Sequence, residues 1–130
     1  MKKLNKKATK IFTKIMDLLG DKDYLKIDNA KDVFMALSVE KLYKIGEYQV
    51  VSFAHYFKQN GDLVQDPEML FMIADQLVYP ISIQHAFLGQ EMTITTDEEG
   101  KFKGYYPKAQ KDITTFAGQW MVNIKSQQNL

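Results

Sequence analysis

Asn60-Gly61 stands between two runs rich in aromatic and β-branched residues, Tyr48–Phe57 and Leu63–Ile73. Asn-Gly readily takes the two consecutive positive φ values of a type I′ turn, whose twist matches that of antiparallel strands. A β-hairpin is therefore predicted here, and it constrains the rest of the chain. With a two-residue loop, Gln59 faces Asp62, Phe57 faces Val64, His55 faces Asp66 and Phe53 faces Glu68. Directly opposed residues project from the same sheet face. Pro67 has no amide hydrogen to give a ladder, so the returning arm needs it at a sheet edge or a bulge. A bulge there shifts the pairing by one residue and turns Glu68 to the opposite face.

The flanking sequence extends the hairpin into a meander. Val33–Tyr43 reads as a strand because apolar and polar residues alternate from Leu37 to Tyr43, although its Met, Ala and Leu content also suits a helix. Tyr24–Ile27 is a short alternating stretch between turn-rich segments, and Ile81–Ile83, Glu91–Thr96 and Lys101–Tyr106 continue the strand pattern. Helical spacing appears only at the two ends. Leu4, Ala8, Ile11, Phe12, Ile15, Leu18 and Leu19 make one stripe that stops at Gly20. Ile113, Phe116, Ala117, Trp120, Met121 and Ile124 make another behind Pro107, a favoured helix opener, and Gly118 within it suits a close-packing contact. The expectation is a single α+β domain over residues 1–130, an antiparallel meander with an N-terminal and a C-terminal amphipathic helix packed on one face.

Charge is distributed unevenly. The net charge is +1, yet Lys2, Lys3, Lys6, Lys7, Lys10 and Lys14 precede the first acid, Asp17, and the remaining 11 lysines are set against 16 Asp and Glu. All 17 basic residues are lysine, so no guanidinium fork exists to grip a base edge bidentately, which disfavours sequence-specific DNA reading. Weak contact of the lysine-rich first helix with a nucleic-acid backbone remains open. Zero cysteines exclude thiol nucleophiles, thiolate metal sites and disulfides. The longest apolar run, Met69–Ala74, is too short to span a membrane, and the expected location is cytoplasmic.

The densest polar cluster lies on the hairpin. On the predicted register one face gathers His55, Asp62, Asp66 and Glu68, with opposed Cβ atoms about 5 Å apart and diagonal ones about 7 Å. An imidazole and two carboxylates at that spacing suit a hard divalent cation activating water, the chemistry of a metal-dependent hydrolase or nuclease. The same arrangement also serves as a register pair in a purely structural hairpin, or as a binding surface. His85, the only other histidine, reaches this cluster only if the meander brings it there. No Gly-x-Ser-x-Gly elbow and no glycine-rich phosphate loop occurs. Tyr105-Tyr106, beside Lys101, Lys103 and Lys108, forms a second candidate interaction surface.

His55-Tyr56, Asn60-Gly61-Asp62 and Asp66-Pro67-Glu68-Met69, followed by Tyr79-Pro80 and by Phe116, Trp120 and Asn123-Ile124, resemble a small uncharacterised domain family. That family is met in plasmids, conjugative transposons and phages, mostly of low-GC Gram-positive bacteria. The resemblance covers roughly residues 10–125 and implies an α+β domain in a mobile-element setting rather than a particular reaction. Together these readings favour a non-catalytic accessory domain that needs no cofactor and binds another macromolecule, most simply a protein, with the metal-dependent hydrolase as the alternative.

Overall fold

The computed structural model describes residues 1–130 and contains, in chain order, α1 (Lys6–Leu19), β1 (Tyr24–Ile27), β2 (Leu37–Ile45), β3 (Tyr48–Gln59), β4 (Asp62–Ala74), β5 (Leu77–Gln84), β6 (Glu91–Met92), β7 (Ile94–Thr96), β8 (Phe102–Tyr105) and α2 (Pro107–Gln128). Strands β1 to β6 form one antiparallel sheet in sequential order, the expected meander. The strand expected over Val33–Tyr43 starts only at Leu37, and Val33, Phe34 and Met35 lie in an exposed loop. The last expected hairpin also leaves the meander, because Glu91–Thr96 is split at Thr93 and β7 pairs with β8 as a separate two-stranded sheet. Thr93 is fully buried, and both its amide and its hydroxyl donate to the Ile81 carbonyl at 2.9 Å. Those two bonds fix the corner where the chain steps out of the first sheet.

Both helices cover one face of the sheet. Asn5 caps α1 by accepting from the Ala8 amide at 2.8 Å, and Gly20 closes it at φ 60°. The apolar stripe of α1 meets Ile113, Ala117, Trp120, Met121 and Ile124 of α2 above Val39, Val51, Phe53, Met69 and Phe71 of the strands. Phe12, Phe53 and Phe71 form a triad with ring centroids 4.9–5.2 Å apart, geometry in which aromatic quadrupoles attract. A methyl group on Gly118 would lie 2.7 Å from the Asn5 side-chain amide, so the expected close helix contact is present.

The two buried glutamines of α2 tie chain ends and loops to this frame. Near its start, Gln110 accepts from the Lys2 amide and donates to the carbonyls of Lys2 and Pro80. Near its end, Gln128 accepts from the Asn29 amide at 2.8 Å and donates to the Met35 carbonyl at 3.0 Å. The loop 28–36 is thereby held against the helix although it is mostly exposed.

The other sheet face is divided. At one end, Ile94 of β7 packs with Ile45, Val50, Leu70, Met72 and Ile81, and the Gly46 amide donates to Gly100 in the β7–β8 turn. The β7–β8 unit thus covers half of this face, and the half toward the β3–β4 turn stays open.

Candidate functional site

The open half-face is built from two rows of side chains running across the strands. One row is Lys26, Ser38, Ala54, Glu68 and Gln84, and its neighbour contributes Tyr24, Glu40 and Ser52 before it passes under cover at Leu70 and Ser82. Small residues at Ser38, Ser52 and Ala54 leave a hollow where larger ones would fill the surface. The result is a cleft of about 640 Å³. Ala36, Ser38, Ser52 and Ala54 form its floor, Tyr24, Phe34 and Tyr56 stand along its sides, and Lys26, Lys31 and Lys58 are on its rim beside Asp28, Asp32 and Glu40. The Tyr24 hydroxyl and Ser38 Oγ are 3.2 Å apart.

The hairpin continues past this cleft as a free ribbon. Asn60 and Gly61 adopt φ values of 52° and 85°, the predicted type I′ turn, and Gln59 faces Asp62 and Phe57 faces Val64 as expected. Strand β2 pairs with β3 only as far as Leu37 opposite His55, and β5 pairs with β4 only as far as Gln84 opposite Glu68. From Tyr56 to Gln65 the ribbon therefore has no strand on either side. Its β3 edge borders the cleft through Tyr56, Phe57 and Lys58, in the space β2 vacates when the chain turns into the 28–36 loop.

The four hairpin residues are not brought together. Between Tyr56–Gln65 and Ala54–Glu68 the arm β4 carries two residues, Asp66 and Pro67, opposite the single residue His55. Pro67 sits in this β-bulge just beyond the last residue of β4 that β5 pairs, so its missing amide hydrogen costs no ladder bond on that side, and the bulge removes the expected pairing of His55 with Asp66. Beyond the bulge Glu68 faces Ala54 and Phe53 faces Met69 instead. Glu68 is on the open face, where it accepts from Ser52 Oγ at 2.7 Å, with Gln65 Nε2 at 3.4 Å. His55 points the other way, only 4% exposed, with its ring edge-on to Trp120 at 5.3 Å and Nε2 without a hydrogen-bond partner. Burial lowers the His55 pKa below its ordinary value, because desolvation penalises the imidazolium. Asp62 is exposed at the ribbon tip.

Asp66 meets the other histidine. Its Oδ1 is 3.5 Å from His85 Nδ1, and both side chains are about half exposed. The His85 ring stands edge-on to Phe116 at 5.8 Å, and Phe116 is 6.3 Å from Trp120, so a row of aromatics links the two histidines rather than a shared ligand. No group of three or more His, Asp or Glu side chains is disposed to hold a metal ion. Ser52, the hydroxyl nearest a carboxylate, has no imidazole beside it, and neither histidine is hydrogen-bonded to a hydroxyl. The arrangement offers shape and hydrogen-bonding edges, not an activated nucleophile.

Tyr105 and Tyr106 are exposed on β8 and at the cap of α2, outside the cleft. The four aromatic residues that line it come from separate parts of the chain: Tyr24 from β1, Phe34 from the 28–36 loop, and Tyr56 and Phe57 from β3. The signal that finds them is the set of small residues alternating in β2 and β3, readable only once their register is known. No helix is long and apolar enough to cross a membrane. No curated protein and no solved structure matches the chain. Residues 2–130 match the family described as Domain of unknown function (DUF6908), and the chain belongs to that family.

Proposed function

We propose that this domain is a non-catalytic protein-binding module of a mobile genetic element, acting in the cytoplasm, and that it captures an extended segment of its partner in the open-face cleft. One observation carries the reading: the β3 edge beyond His55 is unpaired where it borders a hollow floored by Ala36, Ser38, Ser52 and Ala54. An extended peptide there adds a strand in the position β2 has left, its main chain bonding to the ribbon and alternate side chains entering the hollow. Tyr24, Phe34 and Tyr56 supply the broad, half-wet contact area typical of binding surfaces. Exposed strand edges are ordinarily blunted, and this one is left bare beside a cavity.

The test is selection of a displayed random-peptide library on the purified protein, followed by affinity measurement with Ser38→Arg and with Ser82→Ala as a control beyond the cleft. The reading expects enriched peptides whose binding falls at least tenfold in Ser38→Arg and is unchanged in Ser82→Ala. Failure to enrich any peptide, or equal binding by Ser38→Arg, contradicts it.

A further inference from the structure

A second cleft, of about 820 Å³, runs between α1 and the β4–β5 turn on the helix-bearing side of the molecule. Lys3, Lys6, Lys10 and Lys14 line one side. Leu4, Phe12, Met16, Ile73, Leu77 and Val78 contribute its apolar lining, and Asp17, Asp75 and Gln76 add polar groups. Lys6, Lys10 and Lys14 recur every fourth residue, so their ammonium groups are stepped about 6 Å apart along the helix axis.

Two features of these lysines lack a folding rationale. None of the six before Asp17 has a carboxylate within ion-pair distance; the ion pairs of this protein all lie elsewhere. Lys6 and Lys7 also occupy the first turn of α1, which holds no acid, so their charges oppose the helix macrodipole. Six unneutralised cations, four on α1 and two just before it, in a chain whose remainder is acidic make a one-sided field that selects a polyanion. An anionic membrane is a poor fit. The apolar stripe of α1 (Ala8, Ile11, Phe12, Ile15, Leu19) is already buried in the core and unavailable for insertion.

We propose that this cleft binds single-stranded nucleic acid without sequence preference, the lysine row following the phosphates while bases turn toward Met16, Ile73 and Leu77. A single strand has this two-sided chemistry, charged backbone and free base faces, whereas a duplex hides its bases and leaves the apolar lining bare. Asp17, Asp75 and Gln76 supply acceptors for base N–H groups, which all four bases carry, thymine through N3. All-lysine composition suits backbone contact rather than base-edge readout. The inference is independent of the open-face cleft, which lies on the opposite side of the sheet.

Fluorescence anisotropy of a labelled oligo-dT with the full chain tests it. Three variants or conditions are compared: wild type, the triple variant Lys6→Glu, Lys10→Glu, Lys14→Glu, and the charge-matched triple Lys103→Glu, Lys111→Glu, Lys125→Glu, whose lysines are also exposed. Three or four lysine–phosphate contacts weaken binding roughly 20- to 50-fold between 50 and 200 mM salt. The α1 triple is expected to lose binding at least tenfold more than the charge-matched triple, with melting curves showing both folded. Equal loss in the two triples, binding insensitive to salt, duplex bound as tightly as single strand, or equal competition by polyglutamate overturns the proposal.

Discussion

The two faces of the six-stranded sheet use the same strands to opposite ends. Under the helices, Val39, Val51, Phe53, Met69 and Phe71 interlock with α1 and α2 in one continuous core. On the other side, those strands present Ser38, Glu40, Ser52, Ala54 and Glu68, and only the end beneath β7 is closed. Side-chain size rather than backbone makes the difference. The covered face meets the packing density a stable domain needs, and the open face leaves a hollow whose construction adds little to stability.

Substitutions on the two faces should therefore have very different effects. Phe53→Ala removes the centre of the aromatic triad and should cost about 3–5 kcal/mol in chemical denaturation; a loss near 1 kcal/mol would show that the covered face is not the main core. Gln128→Ala is next. It strips the Asn29 amide and Met35 carbonyl of their buried partner, at about 1–3 kcal/mol, and frees the wall that carries Phe34. Faster amide exchange across residues 28–36, with the rest of the sheet unchanged, is the expected signature.

His55→Leu sharpens the contrast further, since it replaces a buried ring that has an unpartnered nitrogen. At neutral pH the change should be within about 1 kcal/mol of neutral or stabilising. In the wild type the folded-state pKa of His55 lies below the unfolded value, so the folded state binds fewer protons. Stability is then fully present above about pH 6.5 and is lost as pH falls toward the folded pKa, by about 1.4 kcal/mol for each unit separating the two values. His55→Leu should flatten that part of the stability–pH curve; an unchanged curve would place the acid sensitivity elsewhere. Ser38→Arg on the open face should have the smallest effect, within about 0.5 kcal/mol of wild type by thermal melting, because its side chain extends into the cleft.

What was legible in the sequence follows from how local each signal is. Asn60-Gly61, Gly20 and Pro107 specify backbone conformations within a turn of themselves, and the hairpin tip and helix limits follow from them. The α+β meander and its helix-covered face follow from periodicity. The bulge at Asp66-Pro67 is different. Pro67 restricts the ladder, but where the bulge falls depends on how far β5 pairs along the outer side of β4 and on the β3 register, both long-range facts: β5 stops at Glu68, and Pro67 lies in the bulge just past that point. That single extra residue decides that Asp66 meets His85 and that Glu68 meets Ser52. The separation of β7 from β6 depends on Thr93 bonding to Ile81, and the cleft floor depends on Ser38 lying opposite Ala54. Neither contact leaves a mark in the neighbouring residues.

The most direct test of the account is an amide chemical-shift map of the isotope-labelled protein titrated with a library-selected peptide. The open-face reading expects perturbations concentrated at Tyr24, Ala36, Ser38, Ala54 and Tyr56–Lys58, with Tyr56–Lys58 amides gaining protection from exchange as a strand is added. Perturbations centred on Tyr105 and Tyr106, or on the α1 lysines, with the β3 edge unprotected, would contradict it.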